Sequence, residues 1–174
     1  MQTPDVVKTV LKHPRRLKEL TDMLGDIDVS MRGRAAATLA RLAESHPESL
    51  IEATPQLREY VRDDSDYVRW HIVYALGEIC TLDSEQAREC RIDVFAGIED
   101  SSRIVRMIAV KAASRLAKNH PDDVAAFFHD IQRPIPPELA KFIPKESAAR
   151  LASNDGREKP HSGGTNVSTA SGTV

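Results

Sequence analysis

Aromatic residues are scarce in this 174-residue chain: one Trp, three Tyr and four Phe amount to 5% of it. A core with so few large rings is built from small and aliphatic side chains, and the many alanines suit close helix–helix packing. Cysteine is also rare. Cys80 and Cys90 alone cannot form a disulfide framework, and with no CxxC and no clustered histidines a metal site is not predicted. Both fall on apolar positions of helical runs and read as reduced core thiols. No apolar stretch approaches the roughly 18 residues that span a bilayer, so no membrane helix is predicted. The N-terminal MQTPDVVKTVLKHPRR lacks the basic start and long apolar stretch of a secretory signal, and the expected location is cytoplasmic. Charge of one sign is missing too: 24 basic against 26 acidic residues give a formal net charge of −2, which supplies no general attraction to nucleic acid or membrane. There is no nucleophile–base pair, Gly-rich phosphate loop or metal cluster. Catalysis and cofactors are therefore not expected.

What the chain does contain is a repeat. Asp26 with Arg32, Asp63 with Arg69 and Asp100 with Arg106 each place an acid six residues before an arginine, and the arginines lie 37 residues apart, twice over. Met31, Val68 and Val105 precede them. The match extends along a whole helix: RGRAAATLARLA from Arg32, RWHIVYALGEIC from Arg69 and RMIAVKAASRLA from Arg106. Ala35/Ile72/Ala109, Leu39/Leu76/Ala113 and Leu42/Ile79/Leu116 correspond, and their i, i+4, i+7 spacing lines one face of a 3.6-period helix. The segments Leu50 to Val61 and Ala87 to Ile98 align as well, so each unit reads as two helices. A fixed period of this length predicts stacked supersecondary units rather than one closed core.

The breaks between helices have local causes. His13-Pro14, His46-Pro47 and His120-Pro121 follow helical runs; proline disfavours the helical region for the residue before it and fits the first turn of the next helix. Ser84 takes that column in the remaining unit as an N-cap. Asp26-Ile-Asp28, Asp63-Asp-Ser-Asp66 and Asp100-Ser-Ser102 are turn and cap clusters. The resulting organisation is an N-terminal helix over 1–13, an array over 14–131 with helix pairs at about 14–45, 47–81 and 84–119 plus a helix at 121–130, a Pro-rich connector with short helices over 132–152, and a disordered tail over 153–174. The tail is rich in Ser, Gly and Thr and has too few apolar residues to offset the entropy of ordering.

These motifs make the chain resemble the HEAT-repeat proteins of the armadillo-type superhelix class. In that family an Asp in the turn and an apolar-Arg pair opening the second helix recur together, as in Asp26/Met31-Arg32, Asp63/Val68-Arg69 and Asp100/Val105-Arg106. A proline within the first helix is also typical; Pro55 matches, whereas Lys18 and Ile92 stand in that column elsewhere. The resemblance covers residues 14 to 130. It implies an all-α superhelical solenoid of about three repeats in which Asp26, Arg32, Asp63, Arg69, Asp100 and Arg106 form a structural ladder between units. A charge-assisted Arg–carboxylate bond is directional, which suits that role.

With the Ala35/Leu39/Leu42 columns buried, the opposite side of each second helix falls on Gly33/Trp70/Met107 and Ala37/Tyr74/Lys111, flanked by Glu44/Thr81/Lys118. Trp70, Tyr74, Met107 and Lys111 compose a binding hot spot in which Gly33 and Ala37 leave a hollow. Lys111, Arg115 and Lys118 add a basic row on the third repeat. The predicted function is a non-catalytic interaction or scaffold module that presents a concave helical surface to a protein or peptide partner. The same resemblance includes nucleic-acid-binding, DNA-repair-like proteins with a basic, Trp-rich groove, and regulatory subunits of enzymes such as lyases. One Trp, a slightly acidic balance and no carboxylate beside Trp70 in its column favour the interaction module.

Overall fold

The structure, a computed structural model, describes residues 3–147; the stretch assigned above to the tail lies outside them. A first helix, α1 (Thr3–Lys12), precedes three helix pairs. α2 (Pro14–Asp22) pairs with α3 (Val29–Ser45), a segment over Pro47–Glu59 with α5 (Asp66–Ile79), and α6 (Glu85–Ala96) with α7 (Arg103–Asn119). α8 (Pro121–Asp130) and the short α9 (Pro137–Ala140) follow, and the chain turns helical again at 145–147.

Local chemistry explains these boundaries. Pro14, Pro47 and Pro121 occupy the first position of their segments, where the missing N–H costs nothing. His46 and His120 close the preceding helices, their N–H groups bonded to the Leu42 and Leu116 carbonyls. Pro55 has a larger effect inside its segment. Without an N–H it cannot bond back to a carbonyl one turn earlier, and Pro47–Ala53 is 3₁₀ before α4 (Thr54–Glu59) resumes as α-helix. Each first helix tightens into a 3₁₀ turn just ahead of the aspartate column, over Met23–Gly25, Tyr60–Arg62 and Gly97–Glu99. The aspartate then folds the turn onto itself: Asp26, Asp63 and Asp100 accept from the N–H two residues on, at 2.8, 2.8 and 2.7 Å. Asp28 caps α3 through the Ser30 N–H and Ser84 caps α6 through the Ala87 N–H.

α3, α5 and α7 lie side by side as an inner layer. In the outer layer α4 packs on α6, and α6 meets α8 where Phe95 contacts Phe127 and Phe128. Between the layers, Leu39, Leu42, Leu50, Leu57, Ile72, Leu76, Ile79 and Leu116 are fully buried. At about 25 cal/mol per Å² of apolar surface, this continuous strip is what orders the stack. The inner layer packs closely at two glycines. A Cβ on Gly77 would meet the Ala112 Cβ at 2.6 Å, and one on Gly33 would meet the Tyr67 ring at 2.9 Å. The C-terminal end of α7 is covered by α9, with Leu139 fully buried and Ile143 nearly so.

Candidate functional site: an aromatic recess on the inner layer

Helical spacing on α5 sets three rings together. Trp70 and His71 stack with centroids 3.4 Å apart, and Tyr67 meets both edge-on at 5.8 and 4.5 Å. His71 is buried, and its Nδ1 lies 2.7 Å from the Tyr67 carbonyl. That contact places the proton on Nδ1. Burial, chiefly, holds the imidazole below its usual range against the pull of that bond, with Arg41 adding to the lowering.

Beside these rings is a recess of about 180 Å³ between α3 and α5, lined by Ala37, Ala40, Arg41, Glu44, Trp70, His71 and Tyr74. Two alanines make room for it. Burial raises the Tyr74 hydroxyl above its usual range, followed by the charges of Glu78 and Glu44 and a hydrogen bond to Glu78. The structure thus brings Trp70 and Tyr74 of the expected residues to one recess. Met107, 60% exposed, and Lys111, also exposed, stand on the neighbouring α7. The expected hollow is shifted. Tyr67 fills the space over Gly33, so the opening lies at Ala37 and Ala40 instead.

Two other expected cations are already engaged. Arg115 donates from Nη1 and Nη2 to both Glu78 oxygens at 2.9 and 2.7 Å, a bidentate pair joining α7 to α5. Lys118 sits 5.0 Å from the centroid of the Phe142 ring, with Lys141 also over that ring at 4.9 Å. His71 and Arg41 were not singled out in the sequence, because one is alone in its column and the other resembles any surface arginine.

The arginines of the repeat share one geometry. Arg32 donates from Nη1 to the Asp26 and Ile27 carbonyls, and from Nε and Nη2 to Asp63 of the next unit at 2.8 and 3.2 Å. Arg69 does the same with the Asp63 and Asp64 carbonyls and with both oxygens of Asp100 at 2.9 Å. Arg106 keeps the carbonyl half, on Asp100 and Ser101. Its carboxylate half has no counterpart among the described residues, since Pro137 stands in the aspartate column. A second set of links joins the outer layer: Arg58 to Asp93 and Glu89, and Arg91 to Asp123. Arg58 and Arg91 are 33 residues apart, so a 37-residue register does not reveal them.

Two further features lie away from this recess. An outer cavity of about 380 Å³ lies among Ile92, Phe95, Phe127, Phe128, Ile131 and Pro134, with the Glu99–Arg133 ion pair at its rim. Cys80 and Cys90 are free, buried and in thiol–thiol contact; burial pushes the Cys80 thiol well up, and the bond from Cys80 lowers that of Cys90. Among the described residues no three His, Cys, Asp or Glu side chains gather as metal ligands, and no helix is long and apolar enough to cross a membrane.

Comparison with known proteins agrees with this architecture. Residues 17–90 match the family description HEAT repeats. No curated protein matches the chain in sequence. Computationally designed armadillo repeat proteins for modular peptide recognition are similar in structure, with a TM-score of 0.63 at 18% identity over 87% of this chain and 75% of theirs. An archaeal HEAT-like repeats protein from Thermococcus onnurineus NA1 gives 0.61 at 14% identity over 86% of this chain and 59% of that one. A designed armadillo repeat protein in complex with the peptide (KR)4 gives 0.58 at 20% identity, covering 83% and 67%. With three aspartate–arginine turns in one register, a segment over residues 17–90 that matches HEAT repeats and a two-layer helical stack, the chain has the HEAT/armadillo-type α-solenoid fold.

Proposed function

We propose that this protein is a non-catalytic interaction module whose inner layer receives a protein or peptide segment. The observation that carries the reading is the recess at Trp70 and Tyr74. It combines aromatic walls, an alanine floor and polar groups at the rim, which is the composition of an anchor pocket for one partner side chain. Met107 and Lys111 extend the surface onto α7. The ladder arginines are occupied by carbonyls and carboxylates, which leaves the inner layer rather than the turns as the contact surface. Two structural relatives point the same way, one designed for peptide recognition and one holding a peptide.

The test is affinity capture with wild type and with the Trp70→Ala/Tyr74→Ala double variant, each checked for helical content. Selective loss of partners by the folded double variant is expected. Retention of every partner sends the binding function to another surface.

A further inference from the structure

The inner layer carries charge of one sign in excess. In the register of the recess stand five cations (Arg34, Arg41, Lys111, Arg115 and Lys118) and two acids (Glu44 and Glu78), although acidic residues outnumber basic ones in the whole chain. Glu78 is withdrawn from solvent, its side chain only 14% exposed and held by the Arg115 fork. Arg34, Arg41 and Lys111 are exposed and form no ion pair among the described residues. The arginines that join the units, Arg32, Arg58, Arg69 and Arg91, are by contrast held in ion pairs. Unpaired cations concentrated on one face create a positive local field that selects an oppositely charged partner.

We infer that the inner layer takes an acidic peptide segment, in which one apolar side chain fills the recess and flanking carboxylates meet Arg41 and Lys111. This rests on the inner-layer reading above and names the partner's chemistry. The recess is apolar in floor and walls, and His71 inside it is buried, so the anchor is uncharged. Arg41 lies at its edge on α3 and Lys111 is one helix further on, which places cations on both sides of the anchor. Nucleic acid fits less well. A backbone-tracking groove needs an uninterrupted run of cations, and here the exposed Glu44 falls within the row and Arg115 is already held by Glu78.

Trp70 is the single tryptophan of the chain, so its fluorescence reports directly on this surface. The experiment titrates the full chain with three synthetic peptides that share one central leucine and carry flanking Glu, Ser or Lys, and with a single-stranded DNA oligonucleotide, calorimetry serving for variants. The Glu peptide is expected to bind tightest, more weakly as salt rises. Arg41→Glu should weaken it about tenfold. Glu44→Gln, which removes the one exposed acid beside the recess, should tighten it about twofold or more. Tighter binding of the Ser or Lys peptide, lost in Tyr74→Ala, overturns the acidic preference while leaving the inner-layer reading intact. Binding of the Glu peptide that neither Arg41→Glu nor Tyr74→Ala alters overturns both. Preferred binding of the DNA, or no saturable binding of the Glu peptide, also overturns the proposal.

Discussion

Gly77 and Ala112 bring α5 and α7 so close that a Cβ on the glycine would stand 2.6 Å from the alanine Cβ. Two opposing effects then decide what Gly77→Ala does. Alanine favours a helix interior over glycine by about 1 kcal/mol. Overpacking a close contact costs about 1–3 kcal/mol, and both flanking helices are fixed by buried side chains. The contact should win, so Gly77→Ala lowers the melting temperature in circular dichroism. Adding Ala112→Gly should recover part of the loss.

Asp63→Ala tests the fastening between the first two units. It removes both bonds from Arg32 and the turn bond from Ser65, at a carboxylate only 6% exposed. The expected loss is about 2 kcal/mol by urea denaturation. Asp22→Ala is the control. Its pair with Lys18 is exposed on both sides, and the change should stay within about 0.5 kcal/mol. Equal effects of the two substitutions would contradict the fastening role.

Acid should weaken the stack through Asp100. Its hydrogen bond from Arg69, the largest influence, holds the carboxyl below the usual range against desolvation, with the Ser102 N–H helping. A carboxyl depressed in the folded state binds its proton more readily when unfolded. Its contribution is therefore present above the unfolded value of about 3.9 and is lost as pH falls from there through the depressed folded value. Asp100→Asn should be less stable at neutral pH and lose less on acidification, as read from urea midpoints against pH.

His71 places a second window at higher pH. Its imidazole is depressed mainly by burial, so the unfolded chain takes up the proton first and stability declines as pH drops below about 6.5. Histidine NMR titration should find this ring protonating below the ordinary imidazole range. A normal midpoint would show that the Trp70 stack leaves it open to water.

Leu139→Ala probes the C-terminal cover. The side chain is fully buried against α7 although α9 is only four residues long. A cavity there should cost about 2–4 kcal/mol. Hydrogen exchange should quicken in α7 and α8 while α3 keeps its protection.

How much of this was written in the residues depends on whether a feature recurs. The second helices were legible because their buried columns repeat at 37, and so were the turns, where an aspartate and an arginine return together. The 3₁₀ endings before each aspartate were not, since tightening of a last turn leaves no fixed residue type. At the site, Trp70 and Tyr74 could be placed on the exposed side by helical angle alone. What occupies the neighbouring space could not. Tyr67 closes over Gly33 and Glu78 closes on Arg115 by reaching between helices, and such contacts depend on how far adjacent units approach. The apolar cavity at Phe95, Phe127 and Phe128 lies where α6, α8 and the connector meet, outside the repeat's own symmetry.

The arginine geometry gives the stack a direction. Each linking arginine grips its own turn with one nitrogen and the following unit with the other two, so every joint along the ladder has the same donor side and the same acceptor side. Joints of one kind are interchangeable. A copy of residues 66–102 inserted after residue 102 would present the existing turn with an arginine and the next with an aspartate, at no mismatch. Among the described residues the ladder ends at Arg106, where Pro137 and Ile143 stand in the aspartate and arginine columns. Length in this array is thus a matter of counting units, each added joint repeating the polarity of the last.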